Sequence, residues 1–377
     1  MYLYSKMEFL CFASAKVWQK NETSKSCPKI IQKMRQSSGR ERAFPYSCMI
    51  FEGEKSCFAQ KNNYLCSQIY FTQMKKVIVI GSSNTDMVVR SENLPRPGET
   101  VLGGAFMMAG GGKGANQAVA VAKMGHPVIF AAALGKDIFG DEAVARYEQY
   151  GIDTTYIVRK DTPSGVALIL VDSAAQNSIS VALGANNELS IEDVMPALDT
   201  IEEGDIVLLQ LEIPIATVEA VISVAAEKGA RVVLNPAPAA KVSAEALSKL
   251  YLITPNQTEA EILTGVEVVD EVSAVKAAEA LCALGVKKVV ITLGSDGAML
   301  YEDGKAEIIP AHKVNAVDTT AAGDVYNGAM CAALAEGMSL VEALRFATKA
   351  SAISVSREGA QPSIPSREEV DNFVVSK

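Results

Sequence analysis

From Val77 onward the chain alternates short β-branched runs with stretches of helical spacing, and this alternation restricts the fold more than any other feature. Val77-Ile78-Val79-Ile80 offers no polar side chain to water on either side. Both of its faces must therefore be covered, as in a parallel strand between two layers of helices. Similar runs stand at 128–134, 206–211, 232–234, 250–253 and 289–293. Between them lie helical stretches such as 217–228, stopped by Gly229, and 274–284, stopped by Gly285. Repeated strand–helix–strand units predict an α/β fold, a mostly parallel sheet with helices on both faces.

Two regions break the rhythm. Residues 99–108 and 164–183 alternate without helices, the second around a polar turn at 172–177. They predict a small β-sheet standing off the main domain, with segments of about 87–110 and 164–186, placed to act as a lid.

A composition boundary falls at Met74. The segment before it holds Cys11, Cys27, Cys48, Cys57 and Cys66, the only tryptophan (Trp18) and an excess of basic over acidic residues. Its cysteines form no C-x2-C pair and have no histidine among them, so no metal site is expected there. Lys6 and Glu8 interrupt any secretory core. Met74-Lys75-Lys76 runs straight into the first strand, as a translation start would. Residues 1–73 are thus expected to be an extension, disordered or non-native, before a domain at 74–377. The whole chain carries a net charge of −9 and 49% apolar residues. That balance argues against nucleic-acid or anionic-membrane partners. With no apolar run of about 18 residues, a cytoplasmic enzyme is expected.

Polar residues collect where the predicted strands end. Asn84 and Asp86 follow the first, Glu212 ends the run 206–211, Asn235 ends the next strand, Asn256 the one after it, and Thr292, Gly294 and Gly297 close the run 289–293. Ligands of open parallel sheets bind at such carboxyl ends. Two glycine-rich helix starts accompany this rim. In Gly110-Gly111-Gly112-Lys113-Gly114-Ala115-Asn116-Gln117, Lys113 and Asn116 can donate to hydroxyls. It is not a Walker A loop, because Gly114 stands where Ser or Thr should bind magnesium. In Asp318-Thr319-Thr320-Ala321-Ala322-Gly323-Asp324, small residues open a helix predicted over 325–335. Its amides and dipole suit an anion, and Asp324 in the first turn is placed to take a proton from an attacking hydroxyl. Asp318 or Thr319 can cap that helix, which leaves Asp324 free of the task.

Taken together, Gly81–Asp86, Gly111–Gln117, Asn235-Pro236-Ala237-Pro238, Thr254–Glu259, Thr292–Gly297 and Asp318–Asp324 resemble the ribokinase family, also called the phosphofructokinase-B group of carbohydrate kinases. The resemblance covers 75–377 and none of 1–73. It implies ATP-dependent phosphorylation of a sugar, D-ribose at O5 by the set as a whole, with Asp324 as catalytic base. Asn84, Asp86, Gly112, Lys113, Asn116 and Glu212 match the positions that hold sugar hydroxyls. Asn256, Thr292, Gly294, Ser295, Gly297, Gly323 and Thr348 match nucleotide contacts, and Ala321, Ala322 and Gly323 the anion hole. Asn256 and Glu259 match the pair that organises Mg2+, largely through water. Asp318, Thr320, Ser354, Arg357, Gly359 and Ser363 match a K+ loop, mostly through backbone carbonyls. A homodimer through the lid is also implied. Many members carry Gly-Ala-Gly-Asp where this chain has Ala321-Ala322-Gly323-Asp324.

Alternatives remain at this stage. A deoxyribose, fructose or nucleoside kinase fits the same frame. A non-catalytic sugar-binding regulator would have no need of Asp324. A nicotinamide dehydrogenase would need G-x-G-x-x-G after the first strand, where Gly81-Ser82-Ser83-Asn84 stands.

Overall fold

The computed structural model describes residues 74–374 apart from 175, and the expectations for residues 1–73 fall outside it. The strands are β1 (Val77–Ile80), β2 (Asn84–Arg90), β3 (Ala105–Gly111), β4 (Val128–Gly135), β5 (Ile157–Lys160), β6 (Gly165–Val171), β7 (Asn177–Ala182), β8 (Ile206–Leu209), β9 (Arg231–Leu234), β10 (Leu252–Ile253), β11 (Lys288–Thr292), β12 (Ala298–Glu302) and β13 (Lys305–Ile309). The helices are α1 (Lys113–Lys123), α2 (Ile138–Gln149), α3 (Ile191–Leu198), α4 (Ile215–Glu227), α5 (Ala244–Ser248), α6 (Gln257–Thr264), α7 (Glu271–Ala283), α8 (Ala322–Ala335), α9 (Leu340–Val355) and α10 (Arg367–Asp371). None of the described helices is long and apolar enough to cross a membrane.

Nine strands form one sheet in the order β13-β12-β11-β10-β9-β8-β1-β4-β5. From β11 to β5 every neighbouring pair is parallel, and β12 and β13 add an antiparallel edge. The alternation of the β-branched runs explains the layers. Val77 and Val79 enter one apolar cluster with α1, α8 and α9, while Ile78 and Ile80 enter a second with α3, α4 and α7. All four are fully buried, each worth about 1.5–3 kcal/mol. The α/β fold with helices on both faces is therefore as expected.

Chain order runs outward in opposite directions from β1 and β8, which pair in register Val77↔Ile206. Such a switch point opens a crevice at the carboxyl ends of the strands. The second sheet, β3-β2-β6-β7, springs from that end, because β2 begins only four residues after Ile80.

Some boundaries differ from the sequence reading. Residues 99–104 are irregular, since Gly98 and Gly103 take φ of 83° and 89°, outside the extended range. The strand starts at Ala105 and runs through Gly110 and Gly111, so the helix start read at Gly110–Gln117 begins only at Lys113. The strand expected over 206–211 stops at Leu209, so Gln210 leaves the ladder. Helix α8 begins at Ala322, earlier than 325, after Ala321 turns the chain at φ 60°.

Candidate active site

Asp324 sits in the first turn of α8, only 6% exposed. Its Oδ2 accepts from Asn116 Nδ2 at 2.9 Å, and its Oδ1 from Gln117 Nε2 at 3.0 Å. Burial pushes its carboxyl up to about 6, against the pull of Lys113 and those two amides, with Glu212 adding to the rise. The group is therefore ionised at neutral pH yet still basic enough to take a proton.

Helix α8 has no side-chain cap; neither Asp318 nor Thr319 reaches its end, contrary to expectation. Asp318 is occupied elsewhere, accepting from the amides of Thr320 and Gly359, both at 2.9 Å. The Ala322 amide bonds the Thr319 carbonyl at 3.2 Å, so of the expected anion-hole residues Gly323 has the freest first-turn amide. A Cβ added to Gly323 would meet nothing within 4 Å. That open space beside a helix N-terminus fits a phosphoryl group.

Around Asp324 the switch-point residues converge. Glu212 Oε2 accepts from Ser82 Oγ at 2.6 Å and from the Lys113 amide at 3.1 Å. Lys113 loses solvation by burial, yet Asp324, Glu212 and Glu259 together hold its ammonium above the ordinary range. Asp86, on β2, is pushed up to about 7 by burial, then by Glu212 and Asp324, with Arg146 opposing. Gly112 takes φ 86° at the start of α1, and a Cβ there would lie 2.7 Å from the Asn84 amide. Asn84, 5% exposed, accepts through Oδ1 from Asn186 Nδ2 at 2.8 Å. Asn116 keeps its Oδ1 unpartnered among the described residues. Thus Asn84, Asp86, Gly112, Lys113, Asn116, Glu212 and Asp324 are brought together in one polar cluster at the switch point.

Asn256 and Thr292 stand at the carboxyl ends of β10 and β11, further along the same sheet. Asn256 and Glu259 form the capping box of α6: Asn256 Oδ1 accepts from the Glu259 amide and Glu259 Oε2 from the Asn256 amide. Burial raises the Glu259 carboxyl, Asn256 and Lys113 oppose, and Asp324 adds to the rise. Among the described residues no group of three or more His, Cys, Asp or Glu is placed to cage a metal. A pair with one spare carboxylate oxygen fits an ion that keeps water and phosphate ligands, as magnesium does. Thr292 pairs with Asn256 in a parallel bridge, and the turn after it carries Gly294, Ser295 and Gly297, the glycines at φ 57° and 104°.

Asp318, Thr320 and Gly359 are brought together, and Ser354 and Ser363 share a buried hydrogen bond of 2.8 Å. Against the cost of burial, Thr320 and the Gly359 amide hold the Asp318 carboxyl below its ordinary value. An ionised carboxylate drawing two loops together fits a cation held nearby by carbonyls. Arg357 instead pairs with Glu369. Thr348 stands apart: it is 6% exposed, and its hydroxyl is spent on the Leu344 carbonyl at 2.8 Å.

Several site residues escaped the sequence reading. Asn186 holds the Ser83 amide, the Ser83 carbonyl and Asn84 together, and the Ser83 hydroxyl meets that of Tyr147 at 2.6 Å. Asn327 donates to the Gly323 carbonyl at 2.8 Å and accepts from Thr254 at 2.7 Å. Their only sequence signal is an amide inside an otherwise apolar or small-residue stretch.

The model described as pfkB family carbohydrate kinase matches residues 74–367. A ribokinase of Haemophilus influenzae is 47% identical over 301 residues, 80% of this chain and 98% of that protein. A deoxyribokinase of Salmonella typhi is 37% identical over 302 residues, 79% of this chain and 98% of that protein. Among solved structures, an Arabidopsis thaliana ribokinase complexed with ribose and ATP is similar with a TM-score of 0.72 and 33% identity, covering 80% of this chain and 100% of that one. By fold, crevice and these matches, the chain belongs to the pfkB family of carbohydrate kinases.

Proposed function

We propose that this carbohydrate kinase phosphorylates D-ribose at O5 with ATP, giving D-ribose 5-phosphate and ADP. The observation that carries the reading is Asp324: a buried carboxylate fixed by two amides, on an open helix N-terminus, facing Lys113, Glu212 and Asp86. The choice of sugar is supported by the similar proteins named ribokinase.

Asn84, Asp86, Gly112, Lys113, Asn116 and Glu212 hold the sugar hydroxyls and aim O5 at Asp324. The O5 oxygen attacks the γ-phosphorus in line and its proton passes to Asp324. The bond from phosphorus to the bridging oxygen breaks, and its electron pair leaves on ADP. The Gly323 amide and the dipole of α8 meet the charge that spreads over the phosphoryl oxygens. The turn at Thr292, Gly294, Ser295 and Gly297 carries the nucleotide. Asn256 and Glu259 would hold magnesium, which neutralises phosphate charge when bound. The Asp318–Gly359 loops would hold K+ behind the Ala321 turn. The small sheet closes as a lid and keeps water from the phosphoryl group.

A panel of sugars and nucleosides, assayed with ATP and magnesium in potassium and in sodium, tests both claims. D-ribose is expected to give the highest kcat/KM, and potassium to raise the rate. A much better acceptor refutes the ribose reading; equal rates in the two salts refute the cation loop.

The reading extends to a homodimer. Phe106, Met108 and Leu168 are exposed on the face of the small sheet turned away from Asp86, Phe106 at 62% and Leu168 at 54%. A four-stranded sheet cannot bury both faces by itself, and such a patch calls for a partner. Sedimentation at micromolar concentration should give a dimer. A strict monomer there contradicts it.

A further inference from the structure

We infer that Gln117 is the residue that orients Asp324, and that it is itself held in one amide orientation by Gln210 and Asn235. The inference rests on the base role given to Asp324 above.

Three neighbouring parallel strands each end in a buried polar residue. Gln210 follows β8, Asn235 follows β9 and Thr254 follows β10, at 0%, 6% and 2% exposure. Gln117, on α1 and fully buried, gathers two of them. Its Nε2 donates to Asp324 Oδ1 and to Asn235 Oδ1, each at 3.0 Å. Its Oε1 accepts from Gln210 Nε2. Asn235 passes the connection on, donating through Nδ2 to the Thr254 carbonyl at 3.2 Å.

This chain of amides has only one workable polarity. A carboxylate accepts and cannot donate, so Gln117 must turn its NH2 to Asp324. Its oxygen then faces Gln210, which must supply a donor. Reversing Gln117 would set its carbonyl oxygen against both Asp324 and Asn235, in a site where unpaired polar atoms are costly. The sheet thus dictates which way Gln117 faces, and Gln117 dictates the plane of the Asp324 carboxylate. Asn116 alone holds the other oxygen and is itself a candidate sugar contact. Gln117 faces Asp324 from inside the protein and is the connection that need not change when sugar arrives.

The charged groups facing Asp324 are Lys113 on α1, Glu212 after β8, Asp86 on β2 and Glu259 on α6. Gln117→Met keeps volume and leaves all four in place while removing the donor. Losing a hydrogen bond to the ionised form raises the pKa of a carboxylate. The acid limb of the kcat profile should move up by about one pH unit, with kcat at neutral pH down about tenfold and KM for sugar within about threefold. Gln210→Met touches neither Asp324 nor the crevice. It should shift the limb in the same direction by less, and the double variant should fall short of the sum.

An unmoved acid limb in Gln117→Met, or a loss confined to KM, overturns the assignment. Should Gln117→Met fail to fold, Gln210→Met decides: a shifted limb sustains the orienting role and an unchanged one refutes it. Asp324→Asn, run alongside, separates the two readings. If it is inactive while both glutamine variants keep the wild-type profile, Asp324 remains the base and only the orienting role falls.

Discussion

Asp324→Asn is expected to lower kcat by about 10²-fold or more while sugar affinity stays within a few-fold. Asparagine keeps the size of the side chain and its place in the first turn of α8, but it cannot accept the hydroxyl proton. The one oxygen of the substitute can still accept from Gln117, and its NH2 then faces Asn116, whose unpartnered Oδ1 can turn to accept it. The pH profile supplies the second readout. Because burial lifts the Asp324 carboxyl to about 6, the wild-type rate should fall as pH drops through that value and the base becomes protonated. The variant has no such group and should show no limb there. The raised value also sets the sign of the stability effect. An ionised carboxylate whose folded pKa exceeds its unfolded one weakens the fold as pH rises from about 4 through 6. Replacing it should therefore not lower stability at pH 8 through loss of the charge. Variant kcat within a few-fold of wild type would remove Asp324 from the mechanism.

What could be read in advance follows from how far apart the partners are. The sheet was legible because a strand buried on both faces leaves no polar positions, and Val77–Ile80 or Val289–Ile291 need no knowledge of their neighbours to be recognised. The polar rim was legible because strand ends and helix starts are local features: Asn84, Asp86, Glu212, Asn235 and Asp324 each follow a recognisable element. Orientation was not legible. Asn186 meets Ser83 across 103 residues, Gln210 meets Gln117 across 93, and Gln117 meets Asp324 across 207. Nothing near Gln210 marks it as more than a polar residue interrupting the apolar run 206–211. The cap of α8 failed for a related reason. Asp318 has the residue type of a cap, but it lies three residues before the N-cap position, Ala321, and its carboxylate is taken by Thr320 and by Gly359 from a distant loop. The edge strands β12 and β13 were missed because their apolar residues are mixed with charged ones such as Glu302, Lys305 and Glu307.

The second large effect is expected at Gly111. Its φ lies outside the left-handed range, so alanine suits the backbone and any penalty must be steric. A Cβ built there lies 2.1 Å from Asp86 Oδ1, 2.2 Å from Oδ2 and 2.3 Å from Cγ. Contacts that short do not occur, so either β3 or the Asp86 carboxylate must move. Strand β3 is held along its length, Asn84↔Gly111 through Arg90↔Ala105, which leaves the carboxylate as the softer part. Asp86 then loses the place where it faces Glu212 and Asp324 at the switch point. Gly111→Ala should raise KM for the sugar about tenfold or more, equivalent to ~1.4 kcal/mol of binding, and lower stability by about 1–3 kcal/mol of overpacking. KM for ATP should stay near wild type, because the turn at Thr292–Gly297, proposed above to carry the nucleotide, lies on the far side of β10. Steady-state kinetics with each substrate varied separates these outcomes. A sugar KM within about twofold of wild type would mean that the position of Asp86 against Gly111 plays no part in holding the sugar.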